Sequence, residues 1–314
     1  MASNRSVVIA ALIANGSIAV LKFIGFLLTG SPSMLSETYH SISDTGNQVF
    51  LLIGIRYSGK EASRAHPFGY GKAQFFYSFL VSVLLFGIAG WESLKHGYNA
   101  ILHPAHGGGG TFSLLGYGPY NAVWVNVAVL LAAIGFETYA FKEAFAELRR
   151  QIDEYGWSGL VEAFRVTSDV TTLTAFTEDA IALAGAAIAL VGVVLTEVTG
   201  NHVYDAVGAV VIGLLLMGFA LALAWENKRL LLGESLTPDV ESKLQDVIRT
   251  HEGVRHVDHF RTMFVGPGRG LVTADVSFDP ALATDDLDDD IREIEEKLKA
   301  ADDRVRIVYL EPEL

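Results

Sequence analysis

Six stretches of this chain are apolar over about 20 residues or more, the length needed to cross a bilayer: roughly 6 to 28, 33 to 56, 74 to 101, 121 to 147, 170 to 198 and 204 to 226. Because a spanning backbone must satisfy its own hydrogen bonds in lipid, each is predicted to be a helix. The first run is too long for a signal peptide and no cleavage site follows it, so it reads as the first span. Six spans put both termini on one side. Arg56, Lys60, Arg64 and Lys72 follow the second span, Lys142, Arg149, Arg150 and Arg165 surround the fourth-to-fifth connection, and Lys228 and Arg229 close the sixth, whereas 102 to 120 and 197 to 204 hold no Lys or Arg. That alternation predicts cytoplasmic termini.

After Gly233 the pattern shortens. Thr237 and Pro238 open a helix ending near Thr250, with Thr237 as N-cap and Pro238 at the first helical position. Val254 to Val265 and Gly270 to Phe278 alternate apolar and polar residues around a turn at Gly266 to Gly268, a second helix covers about 284 to 300, and Val305 to Leu310 forms a last strand. The predicted fold class is thus a membrane all-α bundle of six transmembrane helices, residues 1–232, plus a C-terminal cytoplasmic α+β domain, residues 233–314, in the order α-β-β-α-β.

Composition narrows the chemistry. The chain has 314 residues, 51% of them hydrophobic, no cysteine, and a net charge of −13. From Glu234 onward 20 acidic side chains face 10 basic ones, so −10 of that charge lies in the tail. No basic stripe exists to neutralise phosphates, which excludes nucleic acid as a partner. Without thiolates a bound metal must use nitrogen and oxygen, which disfavours Cu(I).

Ionisable side chains inside a span cost about 2.5 to 3.5 kcal/mol each at mid-membrane, so they require a partner or a purpose. In the second span Glu37, His40, Asp44, Asn47 and Gln48 follow i, i+3, i+4, i+7 spacing and form one polar face. The fifth span carries Glu178 and Asp179. Asp44 and Asp179 lie at similar depth in antiparallel spans, and carboxylates with a histidine in low dielectric repel unless a cation or protons compensate. His40 and Asp44 could alternatively form an internal hydrogen-bonded pair. Glu178, about 100° around the helix from Asp179, either ligates or lines the access path.

These residues resemble the cation diffusion facilitator family of metal/proton antiporters. SMLSETYHSISDTGNQ is similar to that family's zinc-transporter helix, whose His-x-x-x-Asp pair matches His40 and Asp44. RAHPFGYGKAQ resembles its HPFGHGKxE loop, and TEDAIALAG, YDAVGAVVIGLLL and GVRHVDHFRTMFVG also fit, so the resemblance covers essentially the whole chain. It implies a metal site of His40, Asp44, Asp179 and Glu178, with Glu178 replacing the histidine that the family usually carries where Ala175 stands here. It implies efflux of a divalent transition metal, zinc first and manganese, iron(II) or cobalt as alternatives, in exchange for protons by alternating access, with no cofactor. It also implies a homodimer formed through the C-terminal domain in a prokaryotic cell membrane. The family's second metal site in the loop is eroded, since Ser63 and Tyr70 stand where Asp and His are expected beside His66.

Weaker candidates remain. His256, Asp258 and His259 with Asp275 resemble a regulatory site of the family's soluble domain, but strict alternation sends His259 to the face opposite His256 and Asp258, and surface residues of an acidic domain are the preferred reading. His103 and His106 beside Gly107 to Gly110 read as a flexible connector, GPGRG as a hairpin turn, and Lys22 as a snorkelling side chain reaching an interface. A membrane metalloenzyme is disfavoured because no His-Glu-x-x-His occurs; a non-transporting metal-sensing scaffold is the other rival.

Overall fold

A helix stands at each of the six expected positions in the computed structural model, which describes residues 2–103, 111–114, 117–121, 123–167 and 169–313. The order opens with α1 (Ala2–Thr29) and α2 (Pro32–Ser58). Next comes a rod made of α3 (Lys72–Leu84), a π-helical segment (Leu85–Gly90) and α4 (Trp91–Leu102). A short hairpin, β1 (Thr111–Leu114) and β2 (Tyr117–Asn121), precedes α5 (Val123–Tyr155), the short α6 (Leu160–Val166), α7 (Val170–Thr199) and α8 (Val203–Leu232). The hairpin, the π segment and α6 have no counterpart in the sequence reading. His106 and Gly107 to Gly110 lie outside the described residues.

Among the described residues, four of these helices are long and apolar enough to cross a membrane: the Lys72–Leu102 rod, Val123–Tyr155, Thr172–Thr199 and Val203–Leu232. α1 adds a shorter apolar stretch at Asn15–Thr29. α2, at 27 residues, is nearly as long, but its buried face is polar. Large apolar side chains such as Trp124, Tyr139, Val191 and Leu221 point outward and exposed, which suits hydrocarbon rather than water.

Contacts group Met1–Ile53, Tyr77–Phe164 and Thr171–Trp225 into one compact unit, and Gly54–Phe76, Arg165–Val170 and Glu226–Leu314 into a second. The first unit packs around Met34, Leu85, Ala89, Leu130, Ile181, Ala186, Ala189, Ile212 and Leu216. Small residues let its helices approach closely: a Cβ on Gly97 of α4 would sit 2.7 Å from the Val210 nitrogen of α8, and one on Gly213 would sit 2.6 Å from the Leu94 nitrogen. The connections from α1 to α2 and from α7 to α8 are tight. Gly30 and Gly200 end the preceding helices at φ of 67° each, a left-handed conformation that glycine adopts without steric cost.

The second unit contains α9 (Pro238–Arg249), β3 (Val254–Gly266), β4 (Arg269–Phe278), α10 (Thr284–Ala301) and β5 (Val305–Glu313), in the predicted order. β4 is the central strand, antiparallel to β3 and parallel to β5. Leu244 and Ile248 of α9 and Ile294 and Leu298 of α10 bury against Val272, Ala274, Val276 and Val308. Thr237 occupies the N-cap position with extended backbone, but its side chain makes no capping bond.

Candidate metal site

The polar face of α2 is buried over its length: Ser33, Glu37, His40, Asp44 and Asn47 are all less than a tenth exposed. The periodicity of the sequence explains this directly, since residues three and four apart share one helical face and that face cannot meet lipid. His40 Nδ1 and Asp44 Oδ1 stand 3.4 Å apart. Both His40 ring nitrogens and Asp44 Oδ1 nevertheless have no hydrogen-bond partner among the described residues. Each such buried group costs about 1–3 kcal/mol.

One turn further along, Asn47 Nδ2 donates to Glu178 Oε1 of α7 at 2.7 Å. The charges of Glu178 and of Glu137 from α5 reach Asp44, and Glu137 also feels Asp179. Glu178 thus lies within electrostatic range of Asp44, which stands one turn from His40 on α2, and Asp179 follows Glu178 on α7 and is half-buried. Among the described residues no three His, Asp or Glu side chains stand in metal-holding geometry.

Two residues went unread or misread in the sequence. Glu137 lies within a span and is 7% exposed; the same rule that singled out Asp44 applies to it. Lys22 does not snorkel: it is fully buried and its Nζ pairs with Glu37 Oε2 of α2 at 2.7 Å. A buried carboxylate within reach is a better partner for an ammonium than a distant interface. Beyond Glu37, the Ser33 hydroxyl donates to Asp205 of α8. There the helix ends enclose a cavity of about 840 Å³ whose lining includes Ser31, His96, His103, Asn126, His202 and Asp205.

In the second unit, His66 stacks on Tyr70 at a ring separation of 4.2 Å, and Ser63 Oγ lies 3.2 Å from the Tyr70 hydroxyl. Aromatic contacts thus fill the loop position at which metal ligands were expected to be eroded. His256 Nε2 lies 3.8 Å from Asp258 Oδ1, and Asp258 accepts from Ser277. The expected strict alternation fails: the β3 register shifts between Val257 and His259, and both Asp258 and His259 are exposed. His259 pairs in register with Asp275.

Residues 8–232 match a family model described as the cation efflux transmembrane domain. The human mitochondrial proton-coupled zinc antiporter SLC30A9 is 30% identical over 92% of this chain and 50% of its own length. Metal tolerance protein C4 of Arabidopsis thaliana is 27% identical, covering 88% of this chain and 57% of its own. The cation-efflux pump FieF of Cronobacter sakazakii is 24% identical, covering 85% and 78%. The chain thus spans about half the length of the zinc antiporter and of the plant relative. A buried His and carboxylate face between apolar helices, read with a family match over most of the chain, places this protein in the cation diffusion facilitator family of cation efflux proteins.

Proposed function

We propose that this protein exports a divalent transition-metal cation, zinc by preference, in exchange for protons. The observation that carries the reading is the set of buried polar atoms on α2 with no hydrogen-bond partner among the described residues, namely the two His40 ring nitrogens and Asp44 Oδ1, with Glu178 within electrostatic range of Asp44. Lone pairs withdrawn from water without a donor are stabilised by a cation or by protons. The same lone pairs hold either, so binding of one releases the other.

His40, Asp44, Glu178 and Asp179 form the proposed site, one imidazole with three carboxylates. They draw together around the ion in alternating access between two faces of a six-span bundle, residues 1–232. The acidic tail, residues 233–314, serves as a cytoplasmic dimerisation domain. The alternation of basic residues between connections supports cytoplasmic termini, and the expected setting is a prokaryotic cell membrane. A donor set rich in oxygen suits harder ions too, which keeps manganese, iron(II) and cobalt as competing cargo.

Proteoliposomes loaded with a pH dye and a zinc indicator test this. Asp44→Ala or Asp179→Ala abolishes zinc-driven proton flux; transport retained in both removes this site from the mechanism. Competition among zinc, manganese, iron(II) and cobalt orders the cargo.

A further inference from the structure

Glu37 stands one turn from His40 on the same face of α2, and its two carboxylate oxygens meet different surroundings. Oε2 takes the Lys22 ammonium at 2.7 Å, with neither side chain exposed. Oε1 is buried with no hydrogen-bond partner among the described residues. It points at Gly185 of α7, where even a methyl group would collide with it. The missing side chain is what lets this unsatisfied anionic oxygen pack against the backbone of the helix that carries Glu178 and Asp179.

The polar face continues past Glu37 to Ser33, which bonds Asp205, and Ser31 and Asp205 both line the 840 Å³ cavity. The ion pair therefore interrupts the polar face between His40 and the cavity. Lys22 also lies within reach of the charges of Glu137 and Asp44, so a single ammonium faces carboxylates from α2 and α5.

We propose that Glu37 is a second cation station between the His40 and Asp44 pair and the cavity, and that Lys22 is its tethered counter-cation. A dication carries twice the charge of an ammonium and binds both carboxylate oxygens, so an ion moving from Asp44 toward the cavity displaces Lys22 from Glu37. Once the ion leaves, Lys22 takes Glu37 back. The tethered ammonium thereby keeps the station from becoming a trap. This inference rests on the transport reading above.

Equilibrium zinc binding to the full chain in detergent, alongside turnover in proteoliposomes, tests it. Lys22→Met leaves Glu37 uncompensated, so the protein takes up an additional equivalent of Zn2+ relative to wild type and turns over more slowly. Lys22→Arg, which keeps the charge, retains the wild-type stoichiometry, and Lys22→Met combined with Glu37→Gln loses the additional equivalent. Glu37→Gln alone preserves shape and an acceptor for Lys22; it leaves zinc loading intact and lowers turnover by about tenfold or more. Unchanged stoichiometry in Lys22→Met, or wild-type turnover in Glu37→Gln, overturns the second station while leaving the His40 and Asp44 site in place. Wild-type protein that binds no zinc overturns the transport reading itself.

Discussion

Asn47 and Glu178 join α2 to α7 by a 2.7 Å hydrogen bond, one turn from Asp44. That bond orients the Glu178 carboxylate, whose charge in turn reaches Asp44. Partners that orient a ligand typically contribute about 10–100-fold to metal affinity. Asn47→Ala is therefore expected to weaken zinc binding by roughly tenfold, and Glu178→Ala by more. The double variant should resemble Glu178→Ala, because the two residues act through one carboxylate. Calorimetric titration of the three proteins checks this; additive losses would separate the two residues.

Ala175 stands one turn before Asp179, where the family usually carries a histidine. Imidazole favours zinc over manganese more strongly than carboxylate does. Ala175→His is expected to raise the zinc-to-manganese transport ratio by about tenfold, the scale of 1.4 kcal/mol of differential binding. Competition uptake into proteoliposomes measures it, and an unchanged ratio places position 175 outside the ion's reach.

Hydrophobic run length and helical periodicity carried the sequence reading to the helix positions and to the buried face of α2. They also delivered the order of α9, β3, β4, α10 and β5, because alternation and turn residues are local signals. Lys22 was misread because its partner Glu37 lies on another helix, and no local pattern reports which helices pack together. Glu137 was passed over although it obeyed the rule applied to Asp44. The shifted register at Asp258 and His259 depends on pairing with β4, and strict alternation along one strand cannot reveal it.

Close packing of α4 on α8 yields a paired prediction from two glycine-to-alanine substitutions. A Cβ at Gly97 would lie 2.7 Å from the Val210 nitrogen and 2.9 Å from the Ala206 carbonyl, both backbone atoms, whereas one at Gly135 of α5 meets nothing within 4 Å. Gly97→Ala should destabilise the protein by about 1–3 kcal/mol through forced helix separation. Gly135→Ala should be neutral or stabilising by up to about 1 kcal/mol, since alanine restricts the unfolded chain. Thermal denaturation in detergent should lower the midpoint of Gly97→Ala and leave that of Gly135→Ala unchanged or raised; a matched loss in both would remove the packing explanation.

Entry into β5 depends on a short-range ion pair outside the membrane helices. Arg304 donates to Asp302 through Nε at 2.9 Å, through Nη2 at 2.8 Å and through its backbone nitrogen at 3.0 Å, while its own carbonyl accepts from Gly270 of β4 at 2.6 Å. Burial of Asp302 works against its ionisation, but these bonds outweigh it and hold the carboxyl below its ordinary value. A carboxyl lowered in the folded state stabilises fully above the ordinary aspartate value of about 3.9, and that contribution fades as pH falls through the lowered value. Asp302→Asn should therefore cost about 1.5–3 kcal/mol of local stability at neutral pH. The difference from wild type should shrink toward zero in strong acid. Hydrogen exchange of the β4 and β5 amides in the full chain reads this locally, and a loss of protection that does not diminish with acid would show that the charge on Asp302 is not what anchors the strand.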